Sequence, residues 1–178
     1  AASAFTPVTA ADGTPGYSYA VNPALPAGLN LSVSTGAITG TPTIAAAAAN
    51  YTVTVTDSAN ATSSKTFSLT VNPIVVATVA VASTTLTAGT AATPFTPVTA
   101  AGGTAPLTYA VAPALPGGLT INSTTGAISG TAAAAATTAN YTVTATDNVG
   151  AVASQQFSLT VNGPVTTTQV IASKALTA

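Results

Sequence analysis

The stretch "YTVTVTDSANATSSKTFSLTV", residues 51–71, decides the fold class. Apolar residues fall at every second position: Tyr51, Val53 and Val55 on one side, then Phe67, Leu69 and Val71. Thr52, Thr54 and Thr56 alternate with the first set, and Thr66, Ser68 and Thr70 with the second. A period of two is the signature of a half-buried β-strand, and threonine suits the wet face because it is β-branched yet polar. Between the two runs lies "DSANA", whose Asp, Ser and Asn are turn formers. The stretch therefore predicts two strands joined by a tight turn.

Working outward, "YSYAV" at 17–21 carries the same alternation, and "ADGTPG", "NPALPAG" and "STG" punctuate the chain. With 12 Pro and 14 Gly in 178 residues, long helices are not expected. The alanine runs at 45–49 and 132–136 are too short to hold a helix and are expected as loop or weak strand. "IVVATVAVA" at 74–82 is β-branched and far shorter than the roughly 20 residues of a membrane-spanning helix, so it is expected as strand, and no membrane insertion is expected.

The pattern occurs twice. "FTPVTAA" at 5–11 recurs at 95–101, "NYTVT" at 50–54 recurs at 140–144, and "FSLTVN" at 67–72 recurs at 157–162. Each pair is offset by 90 residues, as is "PALPAGLNLSVSTGAITGT" at 23–41 against "PALPGGLTINSTTGAISGT" at 113–131. Self-similarity at one period marks a tandem array. About seven short strands in each unit of about 90 residues predict an all-β chain of tandem immunoglobulin-like β-sandwiches. Tyr51 and Tyr141, each opening a late strand, fit the tyrosine corner of such folds.

The runs "PALPAGLNLSVSTGAITGTPT" and "YTVTVTDSANATSSKTFSLTV" resemble the putative-Ig, cadherin-like repeats of bacterial surface proteins. The resemblance covers both units, and "LPxGLxLxxxTGxIxGT" is its more specific part. It implies an extracellular, often tandem module of adhesins and surface fibres, and it implies no catalytic activity.

Laid out from strand to strand, the repeat gives a first sandwich at 1–72 that lacks its first strand and a complete one at 79–162, opened by "VAVASTTLTA". Residues 168–178 form a spare copy of that opening strand, "VIASKALTA" at 170–178 matching "AVASTTLTA" at 80–88. The expected donor residues are Val170, Ile171, Ala172, Ser173, Lys174, Ala175 and Leu176. Phe5, Phe67 and Leu69 are the expected acceptors. A sandwich short of one strand exposes unpaired backbone, which a donated strand covers. Donor and acceptor differ, so the contact runs head to tail and makes an open homopolymer. The same layout fits a window on a longer covalent array. Ile171 and Leu176 are five apart, so a bend at "SK", or at "ST" in Val81–Leu86, is expected to turn both inward and Lys174 outward.

Composition narrows the chemistry. The charged side chains are Asp12, Asp57, Lys65, Asp147 and Lys174, and there is no His, Cys, Met or Trp. The usual general bases, nucleophile partners and zinc ligands are therefore missing, so neither an enzyme nor a cofactor is expected. A net charge of −1 offers no basic face, so nucleic acid is not an expected partner. Asp57 and Asp147, at equivalent turns, are expected to satisfy backbone N–H groups. A calcium site wants several carboxylates, and one Asp per unit supports weak binding at most. Lys65 is matched by Gln155 and Lys174 by Thr84, so a repeated Lys–Asn cross-link is not expected. Asn30, Asn50, Asn60, Asn122 and Asn140 stand in Asn-x-Ser/Thr sequences and mark glycan acceptors of low specificity. An adhesin module binding a glycan or surface ligand is the alternative function. Its loops would be 12–18 and 58–65, where the copies differ most. Ala1-Ala2-Ser3 is the small-residue start a cleaved precursor would leave, which leads to an expectation of extracellular or cell-surface localisation.

Overall fold

A computed structural model of the chain describes residues 3–170 and 172–175. The chain divides into two units, Ala1–Ile74 and Val75–Ala178. Among the described residues no helix is long and apolar enough to cross a membrane.

In the first unit β1 (Ser18–Asn22), β4 (Ala46–Thr56) and β5 (Thr62–Val71) form an antiparallel sheet in the order β1-β4-β5. A short hairpin, β2 (Leu29–Leu31) with β3 (Ile38–Gly40), lies apart from it. Phe5 bridges to Ile38 through a reciprocal pair of backbone hydrogen bonds, 3.2 and 2.7 Å. Tyr51, Val53 and Val55 are buried, as the alternation predicts. On the opposite face hydroxyls pair across the strands, Thr52 with Thr66 at 3.1 Å and Thr54 with Ser64 at 2.9 Å.

Among the described residues the second unit has nine strands. β10 (Thr108–Ala112), β13 (Ala136–Thr146), β14 (Val152–Asn162) and β7 (Ser83–Thr87) make one sheet in that order. β11 (Leu119–Ile121), β12 (Ile128–Thr131) and β8 (Ala91–Phe95) make a second, and β6 (Val75–Val79) pairs with β9 (Val98–Gly102). The core packs Val98, Ile128, Tyr141, Val143, Phe157 and Leu159, with Phe95 edge-on to Phe157 at 6.3 Å. Tyr141 lies tilted on Phe157 at 5.7 Å, as Tyr51 does on Phe67.

The alanine runs, expected as loop or weak strand, divide between the two: Ala46–Ala49 open β4, while 132–135 are in no strand and Ala136 opens β13, each strand with a register shift against its partner. Cross-strand hydrogen bonding overrides a composition that favours no particular strand. The opening strand of the second unit begins at Val75 rather than Val79 and is two strands, β6 and β7, with a break at Ala80–Ala82. Across that break the amides of Ala80 and Val81 both donate to the Pro97 carbonyl, at 2.8 and 3.0 Å. The bend therefore comes before "ST", and within β7 it is Thr84 and Leu86 that are half-buried. Thr84 is the counterpart of Lys174 in the repeat.

The "GLxLxxxTGxIxGT" sequence has a steric cause. Gly118, just ahead of β11, and Gly130, in β12, have φ of 90° and 117°. A Cβ on Gly130 would meet the Gly118 carbonyl oxygen at 2.1 Å, and one on Gly118 would meet that of Thr131 at 2.0 Å. Gly28 and Gly40 repeat the approach in the first unit. Gly130→Ala combines left-handed strain with a backbone clash. It is expected to destabilise the second unit by about 3 kcal/mol in urea unfolding. A loss within experimental error would show that the hairpin does not depend on the close approach.

Candidate functional site

The two units share a sequence but differ along one edge. In the second unit β7 runs parallel to β14, with Ser158 opposite Ser83 and Val161 opposite Leu86. β6 runs antiparallel to β9, with Val75 opposite Gly102 and Val79 opposite Val98. Under this cover Phe157, Leu159 and Val161 are no more than 2% exposed. In the first unit, among the described residues, β5 pairs with β4 alone. Phe67, Leu69 and Val71, the counterparts of Phe157, Leu159 and Val161, are only half-buried, and Phe5 is 37% exposed. The equivalent of β9, residues 8–12, is in no strand, because a ladder needs two partners. Phe5, Phe67 and Leu69 thus all belong to the open side, and the rings of Phe5 and Phe67 meet edge to face at 6.2 Å.

Where the second unit holds β6, the first has an open cavity of about 310 Å³ lined by Val8, Ala10, Asp12, Tyr17, Val55 and Lys65, among others. One loop anchors its wall. Asp57 Oδ1 accepts from the amides of Ala59 and Ala61 at 2.9 and 2.8 Å, while Oδ2 accepts from Thr14 at 2.9 Å. Asp147 repeats this set with Val149, Ala151 and Thr104. These N–H groups, chiefly that of Thr14, hold the Asp57 carboxyl below its ordinary value. Asp147 is lowered chiefly by Thr104, against the opposing effect of burial. Both aspartates are turn anchors, and among the described residues no three His, Cys, Asp or Glu gather into a cation site. Tyr17, apolar in both copies, packs on the small core of Tyr19, Val53 and Val55, and its hydroxyl donates to the Asp12 carbonyl.

Of the donor residues, Val170, Ala172, Ser173, Lys174 and Ala175 are exposed and in no strand. Ile171 and Leu176 lie outside the described residues. Sequence reasoning placed the acceptor at Phe5, Phe67 and Leu69 and missed the cavity beside Val8, Asp12 and Lys65. The available pointer was "IVVATVAVA", a strand pattern that starts ahead of Val79 and therefore needs a partner of its own.

A family model described as "Putative Ig domain" matches residues 1–72 and again 73–162. No curated protein matches the chain. Among solved structures the chain is similar to protocadherin gammaB7 domains EC3-6, 18% identical with a TM-score of 0.42, covering 82% of this chain and 40% of that one. It is similar to mouse cadherin-23 EC22-24, 18% identical with a TM-score of 0.40, over 83% of this chain and 54% of that one. It is also similar to human protocadherin-24 EC1-2, 14% identical with a TM-score of 0.41, over 84% and 82%. The chain spans less than two thirds of the first two of these.

The exposure difference sets an energetic one. Phe157→Ala empties a sealed core and is expected to cost about 3–5 kcal/mol, while Phe67→Ala, with its ring already partly wet, costs about half as much. Urea unfolding of the two variants compares them, and equal losses would show that the first unit is as closed as the second. Because both aspartates are depressed in the fold, their contribution is fully present above the ordinary carboxylate value of 3.8. It is lost as pH falls through that value toward the lower folded one. Asp147→Asn should lower the melting temperature of the second unit at neutral pH and flatten its acid dependence. An unchanged acid limb would assign that dependence elsewhere.

Proposed function

The chain belongs to the putative Ig domain family, and from that membership we propose that it is a non-enzymatic structural module of an extracellular filament or cell-surface stalk. The observation that carries this reading is the unequal edge. The second unit is closed by the strands at 75–87, and the first has the same acceptor residues with no such strand among those described. An open edge of unpaired backbone beside half-buried Phe67 and Leu69 calls for another β-strand. The chain carries the matching sequence again at 170–178. Units are then joined head to tail, by a donated strand or by covalent continuation of the array, and either joint makes a stalk of stacked sandwiches. A net charge of −1 supplies little repulsion between copies, which favours association.

The second reading is an adhesin module that binds a glycan or surface ligand. It draws on the cavity, whose Asp12, Tyr17 and Lys65 are replaced by Gly102, Leu107 and Gln155 in the other copy.

Electron microscopy of the purified chain beside a version ending at Gly163 tests the structural reading. Fibres from the full chain and monomers from the shortened one are expected. If neither polymerises while native fibres survive denaturant as very long polypeptides, the joint is covalent. Saturable glycan binding by a chain that forms no fibres under any condition would replace the stalk with the adhesin.

A further inference from the structure

We propose that the open side of the first unit is a two-part acceptor filled by residues 165–175 of a second copy, in the register that 75–85 keeps in the second unit. This rests on the filament reading and gives it a partner and an alignment.

The argument starts from what 75–87 does where it is seated. β6 lies against β9, the chain breaks over the Pro97 carbonyl, and β7 continues along β14. One run of residues therefore closes two ladders. Every group it uses has a counterpart 90 residues earlier: residues 8–12 for β9, Pro7 for Pro97, and 68–72 for the end of β14. The run itself has a counterpart 90 residues later, in which Val75, Thr78, Ala82 and Ser83 recur as Val165, Thr168, Ala172 and Ser173. The connection is conserved in length too: Asn72-Pro73-Ile74 separates Val71 from Val75, and Asn162-Gly163-Pro164 separates Val161 from Val165. Within the chain, the strand that follows the first unit's body is taken up by the next body. Applied to the strand that follows the second body, the same rule calls for a further body of this kind; the first unit of a second copy offers one, and that contact between unlike surfaces propagates.

The seating is specific. Val75 is buried in the second unit, its Cγ2 2.7 Å from where a Cβ on Gly103 would stand. Val165, 94% exposed in the isolated chain, takes that place beside Gly13, in the open cavity opposite Asp12. Thr168 falls opposite Thr9, and the Val170 amide meets the Pro7 carbonyl as Ala80 meets Pro97. Ser173 falls opposite Ser68, and Lys174 opposite Leu69, where its aliphatic stem covers the leucine while the ammonium reaches water. Gln155 Nε2 donates to the Ala77 carbonyl at 3.3 Å. Lys65 stands at its position and lines the cavity, so its ammonium can donate to the Thr167 carbonyl in the same way.

The chain has no cysteine, so single cysteines report the register directly. Ser68, Ser173, Thr9 and Thr168 are all exposed, so cysteine there leaves each fold undisturbed. Full-length chains carrying Ser68→Cys and Ser173→Cys singly are mixed and mildly oxidised, as are chains carrying Thr9→Cys and Thr168→Cys. Neighbouring strands bring such pairs within disulfide reach, so each matched mixture should give covalent dimer about tenfold above the crossed mixtures, Ser68→Cys with Thr168→Cys and Thr9→Cys with Ser173→Cys. Fibres with no links, or with links in the crossed mixtures, overturn the register and leave the filament reading standing. Links found only inside doubly substituted chains overturn the second copy as occupant. Neither links nor fibres from any mixture overturns the donated strand and its filament together.

Discussion

Five residues of β7, Ser83–Thr87, lie parallel to Ser158–Asn162 of β14, and the dryness of the core follows from that ladder. Parallel pairing places Leu86 beside Val161 and Thr84 beside Leu159, which seals the side of the sheet where the aromatic pair of Phe95 and Phe157 sits. β9 depends in turn on β6, and β6 reaches it because the chain kinks over Pro97. The first unit shows the dependence by contrast. With the same Phe, Leu and Val along β5 but no neighbour for β5 beyond β4 among the described residues, its core contracts to Tyr19, Val53 and Val55.

What does not depend on that ladder is held locally. The Asp57 and Asp147 turns are nearly superposable in chemistry: three backbone amides on one carboxylate, and a left-handed residue, Asn60 or Gly150, three positions on. The paired glycines of the short hairpins are equally local, since each removes a clash inside a single hairpin. Such features let both units keep the β4–β5 type of hairpin whether or not the edge is covered. The first unit therefore keeps its β1-β4-β5 order with the far edge of β5 unpaired among the described residues.

A surface this poor in charge also changes how an edge behaves. Natural sheets commonly guard their edges with lysine, proline or bulges. Here the exposed half of β5, Thr62–Thr66, carries Ser63, Ser64 and Lys65, so the single charge sits beside the cavity rather than along the apolar half at Phe67–Val71. The edge is guarded where it is polar and open where it is apolar.

The strands at 51–56 and 66–71, the turn aspartates and the 90-residue repeat were all legible, because each rests on side-chain alternation or backbone hydrogen bonding within a few neighbours. The family resemblance was legible for a similar reason, since its glycines answer contacts inside one hairpin. The start of the second unit at Val75 was signalled by "IVVATVAVA" alone, Ala46–Ala49 were left open between loop and strand, and the inward position of Thr84 was not legible. These depend on partners remote in the chain: β9 for β6, β5 for the alanines and β14 for β7. Alternation tells which side chains share a face, and local sequence tells where the backbone can turn. Which face is covered, and by which distant strand, is settled only when backbone groups far apart in sequence find one another in the folded sheet.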